Sequence, residues 1–109
     1  MARDPGLEEL VREALGEEPG LDEKRMFGGL AWLLHGNLLC GARVDSMLVR
    51  LGKGNDSWAL QQPGVEIMVM QGRDMPGWVR ARAAAYGDDA LRRQLLDAAL
   101  AFVRTLPPK

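Results

Sequence analysis

The 109-residue chain sets 14 Lys and Arg against 15 Asp and Glu, is 47% hydrophobic, and holds one histidine and one cysteine. That length suits a single domain, 1–109, with one core; a lone cysteine excludes an internal disulfide and any cysteine-cluster metal site. A formal net charge of −1 disfavours a dedicated nucleic-acid binder, whose affinity rests largely on neutralising phosphates.

No apolar run approaches the ~20 residues that a membrane-spanning helix needs. Met1-Ala2-Arg3-Asp4-Pro5 lacks the apolar centre of a signal peptide, so a cytoplasmic domain without membrane contact is the expectation. The charge is unevenly spread: residues 1–23 hold two arginines against eight acids, net −6, and residues 24–86 hold eight bases against four acids, net +4. Complementarity between an acidic first helix and a basic sheet region accounts for this without a partner.

Asp4-Pro5 opens the first helix, the aspartate as cap and the proline at the first helical position. Leu7, Leu10, Val11, Ala14 and Leu15 then form one buried stripe, and Gly16 with Pro19-Gly20 ends it. Residues 23–27 read as a short strand leading into Gly28-Gly29. Two apolar runs follow, separated by Gly36-Asn37, a hairpin signal because both residues tolerate the positive φ of tight primed turns. With those two as the loop, Leu34 opposes Leu39 and Leu33 opposes Cys40; a second turn at Asp45-Ser46 sets Val44 against Met47 and Arg43 against Leu48.

Alternation across the strands then sorts side chains onto two faces. Leu33, His35, Leu38, Cys40, Ala42, Val44, Met47, Val49 and Leu51 form the expected core face, where Val44→Asp should cost several kcal/mol as an unpartnered buried charge. Trp32, Leu34, Leu39, Arg43, Leu48 and Arg50 form a mixed face.

Gly52-Lys53-Gly54-Asn55-Asp56 is a connector, since its spacing fails the phosphate-loop pattern. A short helix capped by Asp56 or Ser57 runs to Gln62, stopped by Pro63-Gly64. Residues 65–70 read as a strand with Val65, Ile67 and Val69 on one side, residues 71–76 as a loop, and residues 77–82 as a last strand. In that strand Trp78, Arg80 and Arg82 share one face and Val79 and Ala81 the other. Trp78 and Trp32 are expected to share the mixed face, and Trp58 to pack the short helix on the sheet. Gly87-Asp88-Asp89 starts a long helix with an apolar stripe through Leu91, Leu95, Ala98, Ala99, Phe102, Val103 and Leu106, and a second stripe through Leu96 and Leu100. Such a helix is either sandwiched or touches a partner. The expected fold is α+β: an antiparallel sheet of about five strands, with an N-terminal helix, a short middle helix and a long C-terminal helix.

Chemistry is sparse. His35 and Cys40 are the one nucleophile–base combination, and the register sets them diagonally, roughly 7–8 Å apart at Cα, too far for a direct hydrogen bond and without a third orienting group. Asp88 and Asp89 are explained by capping. Met68, Met70 and Met75 have soft-metal donors, but methionine more often fills core gaps. No catalytic, cofactor-binding or metal-binding residue is assigned, and the chain is not expected to be an enzyme.

Four separated signatures then coincide in order: Lys24-Arg25-Met26-Phe27-Gly28-Gly29, Gly36-Asn37, Gly72-Arg73-Asp74-Met75-Pro76-Gly77-Trp78-Val79, and Ala101-Phe102-Val103-Arg104-Thr105-Leu106-Pro107-Pro108-Lys109. Together they resemble the amino-terminal domain of the TfoX/Sxy family of bacterial competence regulators, over about the whole chain from Leu7 on. The resemblance implies an α+β fold with an antiparallel sheet and helices at both ends of the chain. It implies a non-enzymatic regulatory role and no cofactor, and supplies no binding residues. The third signature departs from the family's usual Gly-Arg-Pro-Met-Lys-Gly-Trp or Phe, with Asp74 for the proline and Pro76 for the lysine. Full-length members continue into a second, helical domain, so the expectation is a stand-alone amino-terminal domain.

Two functional readings result. The first is a regulatory or protein-interaction module that binds another protein or itself, as a homodimer, through the mixed face; its interaction residues are Trp32, Leu34, Leu39, Arg43, Leu48, Arg50, Trp78 and Arg80. The alternative is a small anionic-ligand-binding domain in which Arg43, Arg50, Arg80 and Arg82 meet a carboxylate or phosphate.

Overall fold

The computed structural model of the chain describes residues 4–26 and 28–109; Phe27, read as the end of the lead-in strand, lies outside them. The elements are α1 (Pro5–Leu15), β1 (Leu21–Met26), β2 (Gly29–Leu34), β3 (Asn37–Ala42), β4 (Ser46–Arg50), α2 (Ser57–Leu60), β5 (Val65–Met70), β6 (Arg73–Arg82), α3 (Ala83–Tyr86) and α4 (Asp89–Val103). The fold is α+β, as expected, but the antiparallel sheet has six strands rather than about five, in the order β1-β2-β3-β4-β6-β5. No helix of the described residues is long and apolar enough to cross a membrane.

The long helices begin where their caps dictate. An Asp4 carboxylate oxygen accepts from the Leu7 backbone N–H at 3.1 Å, and one of Asp88 accepts from Leu91 N–H at 3.1 Å, each satisfying a donor that the first turn leaves free. Leu96 and Leu100 of the second α4 stripe are buried together with Leu95, Ala99 and Val103 of the first, while Leu91, Ala98, Phe102 and Leu106 are half-buried; the helix is held between α1 and strands β3 and β4. The middle helix is shorter than expected, ending at Leu60. The one-turn α3 was not anticipated, although its run of three alanines has high helix propensity.

Register is where local reasoning fails. β2 and β3 pair Leu34 with Asn37, so the two-residue loop is His35-Gly36 and not Gly36-Asn37. His35 and Gly36 have φ of 51° and 84°, as a type I′ turn requires. Asn37 instead opens β3, and its buried side-chain amide donates to the Pro107 carbonyl at 2.9 Å. The ladder then shifts from Leu33↔Leu38 to Trp32↔Cys40, leaving Leu39 as the extra residue of a β-bulge. Leu39 and Cys40 are consecutive, yet both are wholly buried in the main core.

These shifts correct the predicted faces. Leu30, Trp32 and Leu34 belong to the main core with Cys40, Ala42, Met47, Val49 and Leu51, whereas Leu38 packs on the other face and His35 is exposed in the turn. Leu33 is buried but outside the main core cluster. At the second turn the Arg43 N–H donates to the Ser46 carbonyl at 2.8 Å, and Ala42 pairs with Met47. Val44-Asp45 are therefore the loop, and Val44 is 48% exposed. Val44→Asp should accordingly melt like the parent, within about 0.5 kcal/mol as surface changes usually do, instead of showing a core-sized loss. Thermal denaturation checks this.

β5 occupies the predicted residues, with Val65 in the core but Val69 54% exposed. β6 begins at Arg73, four residues earlier than expected, so the predicted loop is mostly strand and Gln71-Gly72 alone make the turn. Its ladder to β5 passes from Ile67↔Val79 to Val69↔Asp74, so Met75, Pro76, Gly77 and Trp78 stand against Met68 alone. Proline fits such a bulge because it has no N–H to give the ladder. Beyond the bulge, Val79 and Ala81 face the main core and Trp78 the other side, as alternation predicted.

The charge asymmetry resolves locally. Arg12 pairs with Glu9 and Glu23, and Arg104 of the α4 cap reaches Glu18 at 2.6 Å, holding that carboxyl below its ordinary range by hydrogen bonding. Arg80 and Arg82 find Asp45 and Glu66 within the sheet region. Within the acidic N-terminal segment, Glu9 and Glu23 thus pair with Arg12 and Glu18 with Arg104.

Candidate functional site

The buried apolar residues of all four helices, among them Leu7, Val11, Ala59, Ala85, Leu95 and Leu96, belong to one cluster on one face of the sheet. The opposite face carries a smaller cluster made of strand residues alone: Leu48 of β4, Met68 of β5 and Trp78 of β6, with Leu38, Met70 and Met75 packed against them. This helix-free face is the candidate site.

Cross-strand pairing positions its charged groups. β4 and β6 set Arg50 opposite Trp78 and Leu48 opposite Arg80. The Arg50 guanidinium carbon lies 5.9 Å from the Trp78 ring centroid and 5.7 Å from that of Phe102 on α4, and its Nη1 donates to the Leu38 carbonyl at 3.2 Å. Cation–π contacts of this kind contribute about 0.5–2 kcal/mol each and, with the hydrogen bond, fix the guanidinium in place. Arg80 is committed elsewhere, its Nη2 to Asp45 at 2.8 Å and its Nε to the Ser46 hydroxyl at 3.1 Å. Burial alone would raise the Asp45 carboxyl; the Ser46 hydroxyl and the Arg80 charge outweigh it and hold the group below its ordinary range.

Between these side chains runs a groove of about 290 Å³. Leu38, Met68, Met70, Met75 and Trp78 form its apolar walls, Arg50 flanks them, and Gly36 and Lys109 close one end. A larger and more open hollow of about 460 Å³ lies between Leu51, Trp58 and Phe102 on the helix side, but it has no charged group to orient a ligand.

Of the eight interaction residues read from the sequence, Leu48, Arg50, Trp78 and Arg80 come together on the helix-free face. Trp32, Leu34 and Leu39 do not: each is at most 1% exposed in the main core, so Trp32 and Trp78 lie on opposite faces. Arg43 follows the end of β3, half-buried beside the second turn. Leu38, Met68, Met70 and Met75 were missed. The signal for two of them was present, because Met68 and Met70 stand two apart on β5 and so share a face.

The thiol reading loses its geometry. Cys40 is wholly buried, its ladder partner is Trp32, and burial pushes its thiol well above the ordinary range; His35 sits out in the turn. Cys40 should resist a disulfide-exchange reagent in the native protein and react once the chain is unfolded, a contrast that colorimetric titration reads directly. Among the described residues, no group of three or more His, Cys, Asp or Glu is placed to hold a metal ion.

The geometry defines an α+β sheet domain with its helices packed on one face and an arginine-flanked apolar groove on the other. The chain belongs to the TfoX N-terminal domain family, whose model matches residues 13–103. That span takes in every groove residue except Lys109. No curated protein matches the chain, and no solved structure matches it.

Proposed function

We propose that this TfoX N-terminal domain is a non-enzymatic regulatory module that meets a protein partner on the helix-free face of its sheet. One observation carries the reading: the side of the sheet that no helix covers sets half-buried Leu38, Met70 and Met75 beside Arg50, over the buried Met68 and Trp78. Tryptophan, methionine and arginine are the residue types enriched at interfaces, tryptophan and arginine above all at their hot spots, and methionine adapts its shape to what it meets. The test is site-specific photo-crosslinking in the source cells. A photoreactive residue replacing Met75, on this face, should give a discrete light-dependent adduct, and one replacing the exposed Gln94 of α4 should not. An adduct of twice the chain's mass would identify a second copy as the partner. Adducts from position 94 alone, or from neither, would overturn the reading.

The alternative of a small anionic ligand is favoured by a separate observation. Arg80 and Arg82 are ion-paired, which removes two of its four arginines, but Arg50 has no carboxylate within ion-pair distance among the described residues.

A further inference from the structure

We infer that the groove on the helix-free face binds a small amphipathic monocarboxylate, with Arg50 meeting the carboxylate and the apolar body lying along Trp78 and the methionines. This rests on the reading of that face as the binding surface.

Arg50 is the reason to assign an anion. Arg12, Arg80, Arg82, Arg92 and Arg104 each have a carboxylate within ion-pair distance; of the described arginines not so paired, Arg50 is the one that lines the groove. Arg50 is half-buried, and its described contacts are two aromatic rings and one backbone carbonyl. A guanidinium has five N–H donors, and the Leu38 carbonyl takes one of them. The two rings flank the guanidinium without accepting conventional hydrogen bonds, which leaves donors for the bidentate geometry that a carboxylate offers. No aspartate or glutamate side chain lines the groove, and the charged residues that do are Arg50 and Lys109.

The walls select the rest of the ligand. Leu38, Met68, Met70, Met75 and Trp78 present carbon and thioether sulfur, which reward an apolar body and give nothing to a polar one. A phosphate, with ≈ −1.5 to −2 at neutral pH, would bring charge to Arg50 and Lys109 but no apolar body for those walls. At about 290 Å³ the groove lies near the lower end of ligand pockets, which favours a short aliphatic or aromatic acid over a long lipid.

The experiment is an amide and indole N–H NMR titration of the whole chain with octanoate and 3-phenylpropionate, with octanol and inorganic phosphate as comparisons. At least one carboxylate should give saturable shifts centred on Leu38, Arg50, Met68, Met75 and the Trp78 indole, with octanol tenfold or more weaker and phosphate without effect. Arg50→Gln should lose tenfold or more in carboxylate affinity and leave octanol binding unchanged. If Arg50→Gln does not fold, Met75→Glu takes its place, because a like charge in the groove should also repel the carboxylate and leave phosphate without effect. The inference is overturned if neither acid saturates, if octanol binds as well as octanoate, if the shifts map to the helix side, or if the substituted groove binds the acid unchanged. Crosslinking from position 75 without carboxylate binding would sink this inference alone; loss of both would sink the face itself.

Discussion

Trp32→Ala is expected to lower the unfolding free energy by about 3–5 kcal/mol, the usual cost of truncating a buried aromatic side chain, and to leave the protein's mass in solution unchanged. Trp32 is 1% exposed and sits opposite Cys40 in the main core, in the cluster that includes Leu7, Val11 and Leu15 of α1 and the buried residues of α4. Removing the indole leaves a cavity that strands on either side are too constrained to fill. Denaturant unfolding with light scattering alongside separates the two readings of this residue. A variant that kept its stability but lost a partner would return Trp32 to an interface and contradict the packing described above. The same truncation at Trp78 should act differently, since that ring is on the other face and borders the groove.

Gly77→Ala is expected to cost about 3 kcal/mol or more, because two penalties combine. Gly77 has φ of +86°, where a side chain costs roughly 1–2 kcal/mol. A Cβ there would also lie 2.5 Å from the Lys53 backbone nitrogen and 2.6 Å from the Gly52 carbonyl carbon. Both obstacles are main chain, so no rotamer change relieves them. Moving residues 52 and 53 away would strain the bonds from Leu51 and Gly52 N–H to the Gly77 carbonyl, now 2.7 and 3.1 Å. Those bonds tie the bulge of β6 to the end of β4 and so set Trp78 beside Arg50. Unfolding midpoints together with the Trp78 indole resonance give the test: a lower midpoint with a shifted indole is the expected pair. Parental stability would mean that the bulge flattens to accept a side chain.

Much of the fold was legible from local chemistry. Asp4-Pro5 and the Asp88-Asp89 pair mark helix starts because a cap needs nothing beyond its own first turn, and the structure chooses Asp88 of the pair. β5 was placed to the residue, and Val79 and Ala81 were separated from Trp78 and Arg80 by alternation alone. The bulge in β6 was not legible, and neither was the strand before it, since glycine and proline there suggest a loop until β5 supplies the ladder.

The first hairpin depended on more than its own residues. His35, Gly36 and Asn37 are adjacent and all tolerate positive φ, and the Gly-Asn pair was read as the loop. With His35-Gly36 as the loop, Trp32 and Leu34 enter the core and the Asn37 amide reaches the Pro107 carbonyl, 70 residues away. A strand repeats every two residues, so a one-residue error turns each side chain to the wrong face; the bulge at Leu39 then restored the correct face for Cys40 and Ala42. That is why Trp32 and Leu34 were read as surface and are core. The arginines follow the same logic. In sequence Arg50, Arg80 and Arg82 are equivalent sheet cations. Tertiary structure alone set Asp45 beside Arg80 and Glu66 beside Arg82, and placed Arg50 between two rings at the edge of an apolar groove.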